Sequence, residues 1–235
     1  TGPEDVVAAL EAAVSERAVA VYINTPNNPT GRMFSEDVLQ AIAAFARRHD
    51  LWLWSDEVYN GIVFEAPVPP VAAFAPERTM SVYSMSKTYG MAGNRVGYAV
   101  GPTSAVMASL RKATVHHFYS ATTAAQLAAA RVLHAGDAWL ERAVAAYRKA
   151  GYAAADRLGV ERPQGGTFLF VDASASLDER GLQGFLEDCI DRGLILAPGT
   201  SCGAAFPGHV RVCFTSAPPD VVRRGVDVLA TLLGR

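Results

Sequence analysis

The feature that most constrains this sequence is a regular alternation of short apolar segments with longer amphipathic ones. Apolar runs lie at 19–23, 51–54, 80–84 and 96–100, and each is followed by a polar or glycine-containing turn. Between the first two runs, segment 36–48 carries its apolar residues at helical spacing. Strands that alternate with helices indicate an α/β fold in which the sheet is mainly parallel.

The second half of the chain predicts a compact α+β unit. Its predicted elements are strands at 167–172, 194–196 and 209–214, and helices at 181–192 and 218–233. A long Ala-rich helix at 138–157 precedes this unit and is long enough to run between two domains. We therefore predict a larger domain at 1–150, which includes the interdomain helix, and a small C-terminal domain at 151–235.

Composition excludes several classes of protein. The 235 residues carry a net charge of −2 and are 50% hydrophobic, which excludes a disordered chain. A pI of about 6.2 argues against a nucleic-acid partner, and no apolar run is long enough to span a membrane. The three cysteines lack metal-ligand spacing, so we expect a cytoplasmic protein without a bound metal.

Polar residues at two predicted strand ends are candidates for a functional site. Asn28 lies in the turn N-N-P-T-G, and Asp56 follows an apolar strand with Tyr59 three residues later. Taken singly, the first is an ordinary turn residue and the second a helix N-cap. An apolar strand that ends in Asp-Glu also occurs in P-loop ATPases, but the sequence has no G-x-x-x-x-G-K-[ST] loop.

The third strand ends in a further candidate group, Ser84-Met85-Ser86-Lys87, and Arg95 follows between two glycines. A lone lysine or arginine is usually a surface residue. Ser84-x-x-Lys87 also fits the S-x-x-K of penicillin-binding proteins, but the S-D-N and K-T-G motifs that those enzymes need downstream are absent.

Together these residue types suit pyridoxal 5′-phosphate (PLP) chemistry. A lysine can form a Schiff base, and an aspartate can keep the pyridine nitrogen protonated so that the ring withdraws electrons. Asparagine and tyrosine can bond the phenolic oxygen, while hydroxyls and an arginine can bind the phosphate. No single member of the set indicates this chemistry, but their combination in one order does.

The chain resembles the fold-type I, class I and II PLP-dependent aminotransferases from about residue 1 to residue 235. The motifs N-N-P-T-G, S-D-E-V-Y, S-x-S-K and G-x-R-x-G stand in the order and at the spacing of that family. The resemblance implies a PLP-transferase fold of type I. It also implies an incomplete large domain with a mainly parallel sheet, plus a small α+β C-terminal domain.

The resemblance further implies a role for each candidate residue. The implied cofactor-binding residues are Asn28, Asp56, Tyr59, Ser84, Ser86, Lys87 and Arg95. Lys87, Asp56 and Tyr59 are expected to be catalytic. Arg211, in the middle of strand 209–214, is expected to bind the substrate α-carboxylate, and Asn28 also belongs to the substrate site. Cys202 stands where the family commonly has an aromatic residue, so the shape of the side-chain pocket stays open.

The activity implied by the resemblance is transfer of an amino group between an L-amino acid and a 2-oxo acid by a ping-pong mechanism. The family also implies a homodimer and a longer N-terminal part that completes the fold. Two alternatives stay open, because a scaffold does not fix a reaction. One is another PLP enzyme acting on amino acids, namely a lyase, decarboxylase or oxidase. The other is a non-catalytic PLP-binding regulator domain.

Overall fold

The computed structural model describes residues 2–235 and divides into two compact units. Unit 1 comprises the described residues up to Pro26 and Met33–Leu140, and unit 2 comprises Asn27–Arg32 and Glu141–Arg235. The domain boundary expected near residue 150 stays a prediction. Within residues 2–235, no helix combines the length and the apolar character that a membrane crossing requires.

Unit 1 is built around a four-stranded sheet in the order β1-β2-β3-β4. Its elements are α1 (Pro3–Ala13), β1 (Ala20–Asn24), α2 (Glu36–Arg48), β2 (Trp52–Asp56), β3 (Thr79–Ser84), α3 (Met85–Thr88), β4 (Gly97–Val100), α4 (Ser104–His117) and α5 (Thr123–Ala135). The first three strands are parallel, and the fourth is antiparallel to β3. This confirms the predicted α/β class with a mainly parallel sheet. Helix α6 (Asp137–Leu158) begins in unit 1 and continues into unit 2.

The register of the strands places two predicted site residues, Asp56 and Ser84, at the same end of the sheet. Asn24, the last residue of β1, pairs with Asp56, the last residue of β2. Ser84 ends β3 and pairs with Gly97 of the antiparallel strand. Glycine is required there, because a Cβ atom on residue 97 would lie 2.4 Å from the carbonyl oxygen of Tyr83.

One face of this sheet is covered by α2. The first turn of this helix contains acidic residues and the last turn contains Arg47 and Arg48, which is the charge arrangement that the helix dipole favours. Its apolar stripe, which includes Ile42 and Phe45, is buried with Leu53 of β2 in the main core of the unit. Side chains alternate across a strand, so the opposite face carries residues of the other parity. Its large aromatic side chains, Tyr22, Trp52 and Trp54, are about half exposed or more.

Unit 2 contains a three-stranded antiparallel sheet in the order β5-β7-β6. Its elements are β5 (Phe168–Asp172), α7 (Gly181–Asp191), β6 (Ala197–Pro198), β7 (His209–Cys213) and α8 (Pro219–Leu232). The strand predicted at 194–196 was wrong, because the observed strand β6 begins directly after that segment. Ala197 and Pro198 are the residues that pair with β7, and Ile195 of the apolar run is 84% exposed. The apolar run therefore does not mark the paired segment.

The N-N-P-T-G turn is anchored on unit 2 by its glycine. The carbonyl oxygen of Gly31 accepts hydrogen bonds from the backbone N–H groups of Gln164 (2.8 Å) and Gly165 (3.1 Å). Gly31 has φ +68°, and a Cβ atom there would lie 2.7 Å from the carbonyl oxygen of Phe168. Only glycine combines this backbone conformation with such a close approach.

Candidate active site

Asp56 ends β2 and is held by three contacts. Its Oδ1 accepts from the backbone N–H of Val58 (3.2 Å), and its Oδ2 accepts from the hydroxyl of Tyr22 (2.5 Å). Its carbonyl oxygen accepts from Nδ2 of Asn24 at 3.2 Å. A turn, not a helix, follows Asp56, so the helix N-cap alternative does not apply. The carboxylate is half-buried at the carboxyl end of a parallel strand, where α/β sheets bind their ligands.

Glu57 and Tyr59, which follow Asp56 in the S-D-E-V-Y motif, are both buried. Glu57 is 4% exposed and accepts a hydrogen bond from the hydroxyl of Ser55 at 2.7 Å. Burial raises the pKa of the Glu57 carboxyl, the Ser55 hydrogen bond opposes this rise, and the charge of Asp56 adds to it. Tyr59 is 3% exposed within the same turn. Its expected contact with the phenolic oxygen of PLP stays a prediction.

Lys87 lies in the one-turn helix α3, directly after β3. Ser84 caps this helix, because its hydroxyl accepts from the backbone N–H of Ser86 at 3.1 Å. Met85 and Thr88 are buried and fix the turn, whereas Lys87 is exposed. Among residues 2–235, the Lys87 ammonium has no hydrogen-bond or ion-pair partner. The turn thus presents a primary amine beside two hydroxyl groups.

Arg95 lies on the segment that leads into β4, next to this turn. Its backbone has φ +52°, and its guanidinium donates to the carbonyl oxygen of Ala92 at 3.0 Å. The adjacent Val96 is tied to α3, since its carbonyl oxygen accepts from the N–H of Met85 at 3.2 Å. The sheet pairing of Ser84 with Gly97 fixes the same two segments. The structure therefore brings the segments of Ser84, Ser86, Lys87 and Arg95 together.

Asn28 and Arg211 form a second group, which lies in unit 2. Arg211 donates from Nη1 to Oδ1 of Asn28 at 2.9 Å, and its guanidinium carbon lies 4.4 Å from the ring centre of Phe168. Val210 and Val212 are buried on the other face of β7. Arg211 and Phe168 also line a cleft of about 720 Å³, together with residues of the 192–197 loop and of α8. Unit 2 thus has a cavity large enough for an amino acid beside a guanidinium group.

The chemistry of these side chains fits PLP. The cofactor has a basic ring nitrogen, an aldehyde and a phosphate, which call for a carboxylate, an amine and a set of hydroxyl and cationic donors. Unit 1 supplies Asp56, Lys87 and the three phosphate-type donors Ser84, Ser86 and Arg95. Over residues 2–235, no group of three or more His, Cys, Asp or Glu residues has a geometry that could hold a metal ion.

Sequence reasoning missed Tyr22 and Phe168. Tyr22 stands two residues before Asn24, so strand alternation places both on the face of β1 that Asp56 shares, and the pairing of β1 with β2 was the missing information. Phe168 begins β5 and pairs with Cys213 of β7, so it is a diagonal neighbour of Arg211 on the same face of the sheet, and the pairing of β5 with β7 was the missing information. The ring of Phe170, on the same strand, contacts Phe206 edge-on at 5.1 Å and stacks on His209 at 4.8 Å.

The sequence of the chain is similar to that of known proteins. Residues 4–229 match the family model "Aminotransferase class I and II". The chain is 34% identical over 234 residues to the aspartate/prephenate aminotransferase of Thermus thermophilus, an alignment that covers 95% of this chain and 58% of that protein. It is also 33% identical to 1-aminocyclopropane-1-carboxylate synthase 3 of Oryza sativa, over 87% of this chain and 52% of that protein.

A solved structure agrees with the sequence comparison. The aspartate aminotransferase of Thermus thermophilus with maleate superposes with a TM-score of 0.86 at 30% identity, over 99% of this chain and 60% of that one. The chain thus spans a little more than half the length of the proteins it matches. The family model covers nearly all of this chain, and the same fold recurs in the solved structure. The chain therefore belongs to the class I and II aminotransferases, a family of PLP-dependent fold-type I enzymes.

Proposed function

We propose that this chain is part of a PLP-dependent aminotransferase that moves an amino group between an L-amino acid and a 2-oxo acid. The observation that carries the proposal is the placement of Asp56 and of the Ser84–Lys87 turn at the carboxyl ends of adjacent parallel strands. Membership of the aminotransferase family supports the same activity. When bound, PLP would supply the electron-withdrawing ring that makes the substrate's α-proton acidic.

The residues of the chain would then divide the work by their chemistry. Lys87 would bind the cofactor covalently and would move the proton of the substrate α-carbon through its Nζ atom. Asp56 would hold the ring nitrogen in its protonated form by a charged hydrogen bond. Tyr59 and Asn28 are proposed to bond the phenolic oxygen.

The phosphate end would be held by hydroxyls and a guanidinium. Ser84, Ser86 and Arg95 are proposed for this role, and their segments are tied together by the Met85 to Val96 hydrogen bond. Arg211 is proposed to bind the α-carboxylate of the substrate, with Asn28 beside it. A bidentate guanidinium–carboxylate pair suits this position, because the guanidinium already rests on the Phe168 ring and is fixed in orientation.

A half-reaction experiment tests the proposal. The full-length subunit loaded with PLP is mixed with single amino acids in the absence of an acceptor. We expect loss of the visible PLP band with formation of one equivalent of a 2-oxo acid, and recovery of the band when a different 2-oxo acid is added. Product formation without recovery by any 2-oxo acid would contradict transamination.

A second candidate is a PLP lyase. The observation in its favour is that the chain is 33% identical to a protein named 1-aminocyclopropane-1-carboxylate synthase 3, whose name is not that of an aminotransferase, and 34% identical to the aspartate/prephenate aminotransferase. The same half-reaction separates the two functions, since a lyase eliminates part of the substrate without converting the cofactor to its amine form. A regulator domain would show neither outcome.

We also propose a cytoplasmic homodimer whose subunit is completed by a further N-terminal segment. Three free cysteines support a reducing compartment.

Apolar side chains exposed on α4 and α5, namely Val115, Leu127 and Leu133, support a subunit interface. The exposed aromatic face of the unit 1 sheet, formed by Tyr22 and Trp54 with their neighbours, supports a covering segment. Light scattering of the full-length subunit should give the mass of a dimer, and a monomer with full turnover would contradict this.

A further inference from the structure

Strand β1 contacts Asp56 with two successive side chains of the same face. Asn24 donates to the Asp56 carbonyl oxygen at 3.2 Å, and Tyr22 donates through its hydroxyl to Oδ2 at 2.5 Å. The two donors are two residues apart, which is the spacing that puts them on one face of a strand. One of them fixes the main chain of Asp56 and the other fixes its carboxylate.

The contact from Tyr22 differs in kind from a packing contact. Tyr22 is 65% exposed as a residue, and its partly buried hydroxyl is the part that meets a defined partner. Burial and the hydrogen bond to the Asp56 carboxylate both raise the pKa of the Tyr22 phenol, so the phenol stays a donor across the physiological range. A short hydrogen bond to an ionised oxygen is among the stronger ones in proteins.

The carboxylate of Asp56 is consequently held at both oxygens. The N–H of Val58 fixes Oδ1 and the Tyr22 hydroxyl fixes Oδ2, which together determine the rotation of the carboxylate plane about χ2. Each oxygen accepts only one of these bonds and has a second lone pair available. The other ionisable neighbour, Glu57, turns its carboxylate to the hydroxyl of Ser55 instead.

We propose that Tyr22 is a positioning residue, which acts through Asp56 to set the orientation of the carboxylate that pairs with the ring nitrogen of PLP. This inference rests on the proposed function. A carboxylate held at both oxygens meets the ring nitrogen without first giving up rotational freedom, so the cofactor binds more tightly and its ring nitrogen stays protonated. Without the hydroxyl, the carboxylate is free to turn about its terminal torsion.

The test uses the full-length enzyme loaded with PLP and the variant Tyr22→Phe, which removes the hydroxyl alone. We expect PLP to dissociate about fivefold to tenfold more readily, which corresponds to the net value of one typical intramolecular hydrogen bond. The pH at which the visible cofactor band titrates should rise by about half a unit, because a less firmly held positive charge withdraws less electron density from the chromophore. We expect kcat to fall while KM changes little.

Two comparisons separate this role from a structural one. Tyr98→Phe removes a hydroxyl from a tyrosine of the same sheet on β4, and it should leave PLP affinity and the titration unchanged. In an Asp56→Asn background, Tyr22→Phe should have no further effect on the titration, because the group that it positions has lost its charge. The melting temperature of each variant reports any general loss of stability.

Each outcome has a distinct meaning. Tyr22→Phe with wild-type PLP affinity and titration would overturn the positioning role, and so would equal effects of Tyr22→Phe with and without Asp56→Asn. A shift that is matched by Tyr98→Phe would also overturn it, since the effect would then belong to the sheet. If wild-type protein does not bind PLP at Lys87, the proposed function itself fails, which is a separate result.

Discussion

The guanidinium of Arg211 donates to the side-chain oxygen of Asn28 at 2.9 Å, although 183 positions separate the two residues. The contact forms because the turn that carries Asn28 is anchored on unit 2 through Gly31. It links the two residues that the sequence marked for the substrate site. A neutral amide oxygen is a weak partner for a guanidinium, so a substrate carboxylate can compete for it.

Removing the guanidinium should therefore weaken amino-acid binding and leave the cofactor in place. For Arg211→Ala we expect a loss on the order of 2–4 kcal/mol in substrate binding, the value of a desolvated charged pair. Arg211→Lys should recover only part of this, because a lysine lacks the bidentate geometry. The measurement is titration of the PLP spectrum with an amino acid and with its decarboxylated amine.

Arg192→Ala is the matched control for Arg211. Arg192 lines the same cleft, but its guanidinium donates to the carbonyl oxygen of Asp188. This variant should keep the preference for the amino acid over the amine. Equal discrimination by wild type and Arg211→Ala would place the carboxylate site elsewhere.

Borohydride reduction of the loaded full-length enzyme should fix PLP to Lys87 and to no other lysine. The chain has three lysines, at 87, 112 and 149, so peptide mapping gives a clear answer within it. We expect the visible band to disappear and the added mass to lie on the peptide that contains Lys87. Lys87→Ala should abolish both the reduced adduct and turnover. A label on Lys112 or Lys149 would refute the assignment.

Asp56→Asn should lower turnover far more than it lowers PLP binding. The substitution keeps the shape of the side chain but removes the charge that holds the ring nitrogen protonated. A charged pair of this kind is worth ~3 kcal/mol, which corresponds to roughly a hundredfold in kcat. Asp50→Asn provides the control, since the Asp50 side chain is 98% exposed. Near-normal kcat in Asp56→Asn would mean that Asp56 has only a structural role.

The buried carboxyl of Glu57 should make stability fall with rising pH at this position. Its pKa is raised above the ordinary value of 4.5, so the folded protein holds the proton to a higher pH than the unfolded chain does. The contribution of Glu57 to the free energy of unfolding is thus largest below 4.5 and declines as the pH rises through the folded-state pKa.

Glu57→Gln mimics the protonated form and removes this dependence. Urea unfolding of wild type and variant at about pH 4 and about pH 8 should show a relative gain for the variant at the higher pH. The hydroxyl of Ser55 keeps an oxygen to bond in the variant. The same difference in unfolding free energy at both pH values would contradict the prediction.

Substituting Gly31 should destabilise the N-N-P-T-G turn. Gly31 and Gly159 have similar backbones, with φ +68° and φ +60°, but only at Gly31 would a Cβ atom meet other atoms within 4 Å. We expect Gly159→Ala to cost about 1 kcal/mol for the backbone alone and Gly31→Ala about 2–4 kcal/mol, because overpacking adds to it. Thermal unfolding measures both, and equal costs would show that the close approach to Phe168 is unimportant.

Local patterns predicted most of the fold, while tertiary pairing decided the rest. The stripe of α2 and its charged ends are local, and this helix was predicted with its observed bounds of 36–48. β6 was misplaced because pairing with Arg211 and its neighbour on β7, and not the apolarity of 194–196, selects the paired residues. Periodicity also could not give the antiparallel direction of β4.

In the candidate site, too, local motifs predicted some residues, whereas the importance of others depends on the pairing of strands. Asp56, the Ser84–Lys87 turn and Arg95 follow predicted strands, and short motifs identify them. Tyr22 belongs to no motif, since its importance arises from the neighbour that β1 acquires in the sheet. Side chains that hold a functional group from an adjacent strand are therefore the ones that a single sequence hides.

The absence of a side chain at position 97 has a consequence for how the effects of substitutions in this protein would be interpreted. Any larger residue there would push β4 away from the Tyr83 carbonyl and would carry Ser84 and the approach to Arg95 with it. Under the proposed function, we expect a variant at this position to bind PLP weakly, as if one of the proposed phosphate ligands had been removed. The cause would nonetheless be the spacing between β3 and β4, since the added side chain would collide with the Tyr83 carbonyl oxygen.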